Sequence, residues 1–399
     1  MTTESAGGAE PLRVALIGYA FMGAAHSQAW RTAHRVFDLP RTPEMTVICG
    51  RSAEATAAAA RRLGWSEWAT DWREVIARDD VDVVDICTPG SSHAEIALAA
   101  LQAGKHVLCE KPLANTVQEA EQMAAAAAKA AGRGVFAGVG FNYRRVPAVA
   151  LAQRLVADGR IGEIRHIRAL YLQDWIVDPD YPLVWRLQKD QAGSGALGDL
   201  GAHIVDLAQY VSGQRLTGVS ATMETFVRKR PLPAESSGLA AAGDAGAGDG
   251  EVTVDDAAVF FGRTESGALA TFEATRFATG RKNAMRIEVN GSSGSLAFDF
   301  ESMNELHVYD GSAPGADAGF RRILVTEPDH PYMEGWWPPG HGLGYEHTFT
   351  HEIAEFVRDI ASQRQPSPSF ADGLAAQRVL DAVERSAADS SRWTNVATD

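Results

Sequence analysis

The chain has 399 residues, 45% of them apolar, which is more than one typical domain takes up and enough to bury two cores. Its 37 basic against 51 acidic residues leave a formal charge of −14, which disfavours nucleic acid and anionic membrane surfaces as partners. Three cysteines without paired spacing argue against a disulfide framework or a zinc cluster and suit a reducing cytoplasm, and no apolar run approaches membrane length.

Residues 1–10 are small and polar, lack the basic-then-apolar order of a secretion signal, and read as a disordered arm. An apolar strand over 13–17 is followed by a helix over 21–34, a strand over 45–49 and a helix over 53–63 closed by Gly64. The β-branched run 81–87 predicts another strand. After it come a helix over 94–103 ended by Gly104, a strand over 106–109, an Ala-rich helix over 116–131 and a strand over 135–139. Such alternation requires right-handed crossovers and a parallel sheet, so residues 11–140 are expected to form a doubly wound α/β domain.

The pattern changes after residue 140. A helix over 147–157 and a strand over 163–172 precede a helix that carries Asp199 and His203. Strands then dominate from 218 to about 325, with hairpin punctuation at Glu265-Ser266-Gly267 and at Asn290-Gly291-Ser292-Ser293-Gly294. Two helices, 347–364 and 370–388, follow. Residues 141–390 are therefore expected to form a second α/β domain with an open, largely antiparallel sheet, interrupted by a flexible Gly/Ala/Ser/Asp-rich excursion over 233–251.

Gly18-Tyr19-Ala20-Phe21-Met22-Gly23 follows a strand and opens a helix, the context in which a glycine turn cradles a dinucleotide pyrophosphate. Gly18 would allow the tight turn, Ala20 the close approach of backbone, and Gly23 the packing of helix on strand. An ordinary strand-to-helix turn is the competing reading. The second strand ends in Cys49-Gly50-Arg51-Ser52 with no carboxylate for an adenosine ribose; Arg51 and Ser52 would suit a 2′-phosphate and favour NADP over NAD, unless Arg51 is merely a solvated strand end. Thr88, Pro89 and His93 follow the next strand at its carboxyl end, where ligands of such sheets bind, although His93 also fits a simple helix start.

Glu110-Lys111-Pro112 ends a further parallel strand, with the proline restricting the chain around the lysine. Asp199 and His203 are four apart and share a helix face. Together they suggest alcohol chemistry: Lys111 clamps the substrate oxygen, His203 takes the hydroxyl proton as hydride leaves, and Asp199 orients and charge-stabilises the imidazole. A surface lysine and a helix-surface pair are the bland alternatives. Gly193-Ser194-Gly195-Ala196-Leu197-Gly198 precedes the pair and offers N–H groups that could face the site. His347 and His351 are one helical turn apart beside Glu352, but no complete ligand set accompanies them, so no metal is assigned. Trp336-Trp337-Pro338-Pro339-Gly340-His341 reads as a sugar-facing loop, with core packing as the alternative for the two tryptophans.

The glycine turn, Glu110-Lys111-Pro112 and Gly198-Asp199-Leu200-Gly201-Ala202-His203, in this order, resemble the glucose-fructose oxidoreductase/inositol dehydrogenase family, Gfo/Idh/MocA, over nearly the whole chain. Phe141-Asn142-Tyr143-Arg144-Arg145, Tyr171-Leu172-Gln173-Asp174-Trp175 and Trp185-Arg186, with the Trp337 loop, look most like its levoglucosan dehydrogenase and 3-ketoglycoside oxidoreductase branch. The resemblance implies a Rossmann domain, a second α/β domain whose open sheet packs into a homodimer or homotetramer, and catalysis by Lys111, Asp199 and His203. It also implies cofactor contacts from Glu110 and Asn142, and substrate contacts from Tyr143, Gln173, Trp175, Arg186, Trp337 and His341 beside the catalytic three. The expected reaction moves a hydride between a secondary ring hydroxyl, or ketone, of a sugar, anhydrosugar or glycoside and NAD or NADP. Inositol dehydrogenation uses the same groups on a cyclitol and stays open. A dinucleotide sensor without turnover is the alternative of another class, and the proton-handling residues speak against it.

Overall fold

Strand β1 (Leu12–Ile17) leads the first sheet, and the chain then alternates through α1 (Phe21–Val36), β2 (Pro43–Cys49), α2 (Ala53–Leu63), β3 (Glu67–Ala69), α3 (Trp72–Ile76) and β4 (Val83–Ile86). Helix α4 (His93–Gln102), β5 (His106–Glu110), α5 (Val117–Ala131) and β6 (Ala137–Gly140) complete it. The six strands are parallel and lie in the order β3-β2-β1-β4-β5-β6, a doubly wound sheet whose direction of winding reverses between β1 and β4. Every residue of β4 is buried, as a strand covered by helices on both faces must be. The computed structural model describes residues 10–233 and 248–398.

Helix boundaries fall where local chemistry closes them. Gly64 ends α2 in a left-handed conformation with φ 79°, and Thr116 with Glu119 forms a reciprocal cap at the start of α5. The short β3 and α3 escaped the sequence reading because three and five residues hold too little periodicity to register.

The second sheet is built from β7 (Ile164–Leu172), β8 (Leu216–Glu224), β11 (Ala257–Thr264), β12 (Leu269–Thr275), β13 (Ala284–Gly291), β14 (Gly294–Asp299), β15 (Glu305–Asp310), β16 (Arg321–Leu324) and β17 (Thr394–Asn395). Its order is β16-β15-β14-β13-β7-β12-β11-β8-β17, antiparallel apart from the β7–β12 pair. Both expected hairpins are present, β11–β12 and β13–β14. A separate small ribbon pairs β9 (Lys229–Pro231) with β10 (Asp249–Glu251), so residues 249–251 of the expected excursion over 233–251 are a strand; its residues 234–247, like the arm over 1–9, lie outside the described residues.

Helices α6 (Pro147–Ala157), α8 (Ala202–Ser212) and α10 (Phe370–Ala388) cover one face of this sheet, and a short α7 (Lys189–Ala192) precedes α8. The other face is open: along β11, residues alternate between buried Ala258 and Phe260 and exposed Val259 and Phe261. Helix α9 (Tyr345–Ala361) returns to the first sheet, where Phe349, Ile353, Phe356, Val357 and Ile360 share a core with Leu12, Leu16 and Trp30.

Candidate active site

A cleft of about 560 Å³ opens above the carboxyl ends of β1, β4 and β5 and is walled on its other side by α8, β7 and the end of β12. Of the residues assigned to the cofactor, Ala20, Phe21, Met22, Thr88, Pro89, His93, Glu110, Lys111 and Asn142 line it. Tyr143, Gln173, Trp175, Arg186, Asp199 and His203 line it too.

The turn at its floor fits a dinucleotide. Gly18 has φ 100°, and a Cβ there would stand 2.7 Å from the Cys87 carbonyl oxygen; a Cβ on Gly23 would stand 2.1 Å from that of Gly18. Only glycine permits this closeness. Helix α1 then begins with no side-chain cap and no acidic residue in its first turn, so its leading N–H groups are free to meet phosphate.

Lys111 reaches Asp199 from the end of β5. Its Nζ donates to the Asp199 carbonyl oxygen at 3.0 Å and to Oδ1 at 3.1 Å. The second carboxylate oxygen accepts from Arg276 Nη2 at 2.9 Å. Burial would raise the Asp199 carboxyl, but the charges of Lys111 and Arg276 outweigh it and hold the group far below the usual carboxylate range. Arg276 also donates to the Gly195 and Arg186 carbonyls and lies over the Trp175 ring, so it is fixed from four sides.

Here the structure corrects the expected division of labour. Asp199 pairs with Lys111 and Arg276, and His203 Nδ1 is buried without a partner among the described residues. The reason is backbone geometry. Asp199 sits in a wide π-helical turn (Leu197–Gly201) ahead of α8, and that turn aims the carboxylate at Lys111. Asp255 closes the turn by accepting from the Gly195 and Leu197 amides at 2.7 and 2.8 Å, so those amides are spent on the fold and do not face the cleft.

The His203 ring lies 4.6 Å from Tyr143 and edge-on to Phe141. Burial, and then the charge of Lys111, push its pKa well below the usual histidine value, so the ring is neutral and able to accept a proton. Tyr143, Tyr171 and Asn283 form a chain of hydrogen bonds at 2.7 and 2.6 Å beside it, and Gln173 donates to Asn283 at 2.8 Å. His93 is a strut: its two ring nitrogens lie 3.0 and 2.9 Å from the Pro112 and Thr88 carbonyl oxygens and join the two loops.

Four assigned residues lie elsewhere. Ser52 caps α2 by accepting from the Ala55 amide, Arg51 is exposed, and neither lines the cleft. Trp337 is 64% exposed and His341 is exposed, also outside the cleft, because Trp336 anchors their loop on Phe37, His347 and His351 at the far end of α1. His351 is engaged by Arg145 and Trp336, and His347 by the Gly344 amide. Arg276, Asn283 and Tyr345 were not anticipated as lining residues. Arg276 and Asn283 stand where strands end or begin, a weak signal without the fold.

Residues 12–139 match the oxidoreductase family with an NAD-binding Rossmann fold, and residues 149–297 match the GFO/IDH/MocA C-terminal domain. The chain belongs to the Gfo/Idh/MocA oxidoreductase family. A levoglucosan dehydrogenase of Pseudarthrobacter phenanthrenivorans is 44% identical over 96% of this chain and 98% of its own. Among solved structures, an oxidoreductase domain protein of Kribbella flavida superposes with a TM-score of 0.93 at 65% identity, covering 97% of this chain and all of that one. Levoglucosan dehydrogenase in complex with NADH and levoglucosan gives 0.90 at 43% identity, over 98% of this chain and all of that one. An inositol 2-dehydrogenase of Rhizobium meliloti is more distant, at 29% identity over 78% of this chain and 80% of its own. This Gfo/Idh/MocA chain is thus an NAD-binding oxidoreductase whose Rossmann sheet and mixed second sheet are those of its family.

Proposed function

We propose that the chain is an NAD-dependent dehydrogenase that oxidises a secondary ring hydroxyl of an anhydrosugar, sugar or glycoside. The observation that carries this is Lys111 and His203 lining one cleft with Ala20, Phe21 and Met22 of the dinucleotide turn. Bound NAD⁺ supplies the hydride acceptor. His203 takes the hydroxyl proton, and Lys111 donates to the oxygen as it gains negative charge. Asp199, held by Arg276, keeps the lysine ammonium in place. Tyr143, Gln173, Trp175 and Arg186 surround the ring that bears the hydroxyl.

The NADH and sugar complexes of the levoglucosan dehydrogenase support this substrate class and NAD. The lean to NADP rests on exposed Arg51, on Ser52, whose oxygen accepts a helix-cap hydrogen bond, and on the missing carboxylate after β2, and no relative's complex adds to it. The test is the rise of reduced-nicotinamide absorbance with levoglucosan, glucosides, glucose and inositols, each with NAD⁺ and NADP⁺. Turnover of an anhydrosugar or sugar with NAD⁺ is expected. Lys111→Ala and His203→Ala should each lower kcat by roughly two to four orders of magnitude with the fold retained. Wild-type turnover in either variant would overturn the assignment, and turnover of inositols alone would move the substrate to a cyclitol.

The open face of the second sheet supports assembly of copies through it, as a homodimer or homotetramer. Exposed Phe261, Val259 and Trp393 stand on or beside a shallow groove there. Light scattering on the purified chain tests this, and a monomer at all concentrations overturns it. Among the described residues no helix is long and apolar enough to cross a membrane.

A further inference from the structure

Beneath the cleft, His26 is sealed between two carboxylates. Its Nδ1 lies 2.9 and 3.0 Å from the two oxygens of Asp85, and its Nε2 lies 3.0 Å from Glu110 Oε1. The side chains of His26 and Asp85 are fully buried, and that of Glu110 is 5% exposed. Carboxylate oxygens only accept, so satisfying both contacts requires a proton on each ring nitrogen. Burial alone would lower the imidazole pKa, but the Asp85 charge outweighs it and raises the value well above normal.

The three residues sit on α1, β4 and β5, so the bridge ties the helix of the dinucleotide turn to two strand ends. Trp30 Nε1 donates to Asp85 at 2.7 Å, and the Lys111 amide donates to Glu110 Oε2 at 3.1 Å. Glu352, on α9, brings a third buried acid close by, and both its oxygens lack a partner among the described residues. Burial pushes it up to about 8, so it is neutral at pH 7.

Glu110 is the member of this set that lines the cleft. It stands one residue before Lys111, at the end where the nicotinamide has to lie for hydride to leave a carbon whose oxygen Lys111 holds. The oxidised ring is cationic and the reduced ring neutral. We propose that Asp85 and His26 fix the Glu110 carboxylate at the nicotinamide end of the cleft, where its charge makes the site bind the oxidised cofactor in preference to the reduced one. This rests on the dehydrogenase reading and adds to it a role that the Lys111 and His203 chemistry does not require. Hydride transfer would then remove the attraction and favour release of the reduced cofactor.

Calorimetric titration of the cofactor-free protein with NAD⁺ and with NADH, in separate experiments, tests the idea without turnover. Glu110→Gln should shift the ratio of the two dissociation constants toward NADH by roughly tenfold, the scale of one charge lost beside a partly buried cation. Glu110→Asp should retain part of the wild-type preference. Melting curves establish that each variant is folded. An unchanged ratio in folded Glu110→Gln, including equal loss of affinity for both forms, overturns the proposal. Failure of the wild-type protein to bind either form would instead overturn the dehydrogenase reading itself.

Discussion

Glu352→Gln should change how stability depends on pH. The carboxyl is buried with no partner for either oxygen among the described residues, and burial raises its pKa from 4.5 in the open chain to about 8 in the fold. Between those values the native state holds close to one proton more than the unfolded chain, so unfolding releases a proton and stability falls as pH rises. The slope is about 1.4 kcal/mol per pH unit, which makes about 2.7 kcal/mol between pH 5 and pH 7. Glutamine keeps the shape and removes the titration. Its buried amide adds a cost of about 1–3 kcal/mol, but that offset is the same at every pH and cancels from the slope. Urea unfolding of the cofactor-free protein, followed by tryptophan fluorescence at pH 5, 6 and 7, gives both lines. The wild type should lose about 2–3 kcal/mol relative to the variant across that window. Parallel lines would refute the assignment of a neutral, unpartnered acid at this place.

Arg276→Met should lower kcat by roughly ten- to a hundredfold with little change in NAD⁺ affinity, because Asp199 loses one of its two cationic partners; Arg276→Lys should recover part of the loss in steady-state kinetics. Gly23→Ala should weaken NAD⁺ binding by at least roughly tenfold and lower the melting temperature, since its methyl would meet the Gly18 carbonyl oxygen at 2.1 Å. Gly315→Ala, where a Cβ meets nothing within 4 Å, is the control for both readouts.

The doubly wound sheet was legible because its strands are continuous apolar runs punctuated by glycine, and local pattern alone produces that signal. Lys111, Asp199 and His203 were legible for a related reason: each sits at a fixed offset from a strand end or on one helical turn. Their partners were not. Whether Asp199 turns toward His203 or toward Lys111 depends on a π-helical turn and on Arg276, which lies 77 positions away in sequence. A spacing of four was read as an ordinary helical turn. The Trp337 loop misled for the opposite reason, since aromatic composition resembles a sugar platform whether or not the fold brings it to the cleft. The Asp85–His26–Glu110 bridge joins three segments that have no local pattern in common.

The return of α9 to the first sheet sets a rule for recombining this protein. A cut after residue 140 gives a tidy sequence module but leaves Leu12, Leu16 and Trp30 without the five α9 side chains that complete their core. A chimera that exchanges nucleotide-binding halves among relatives must therefore carry residues 345–361 with residues 11–140, as two pieces of one inheritable unit. Substrate-facing strands between them can then vary while the nucleotide half keeps its own packing.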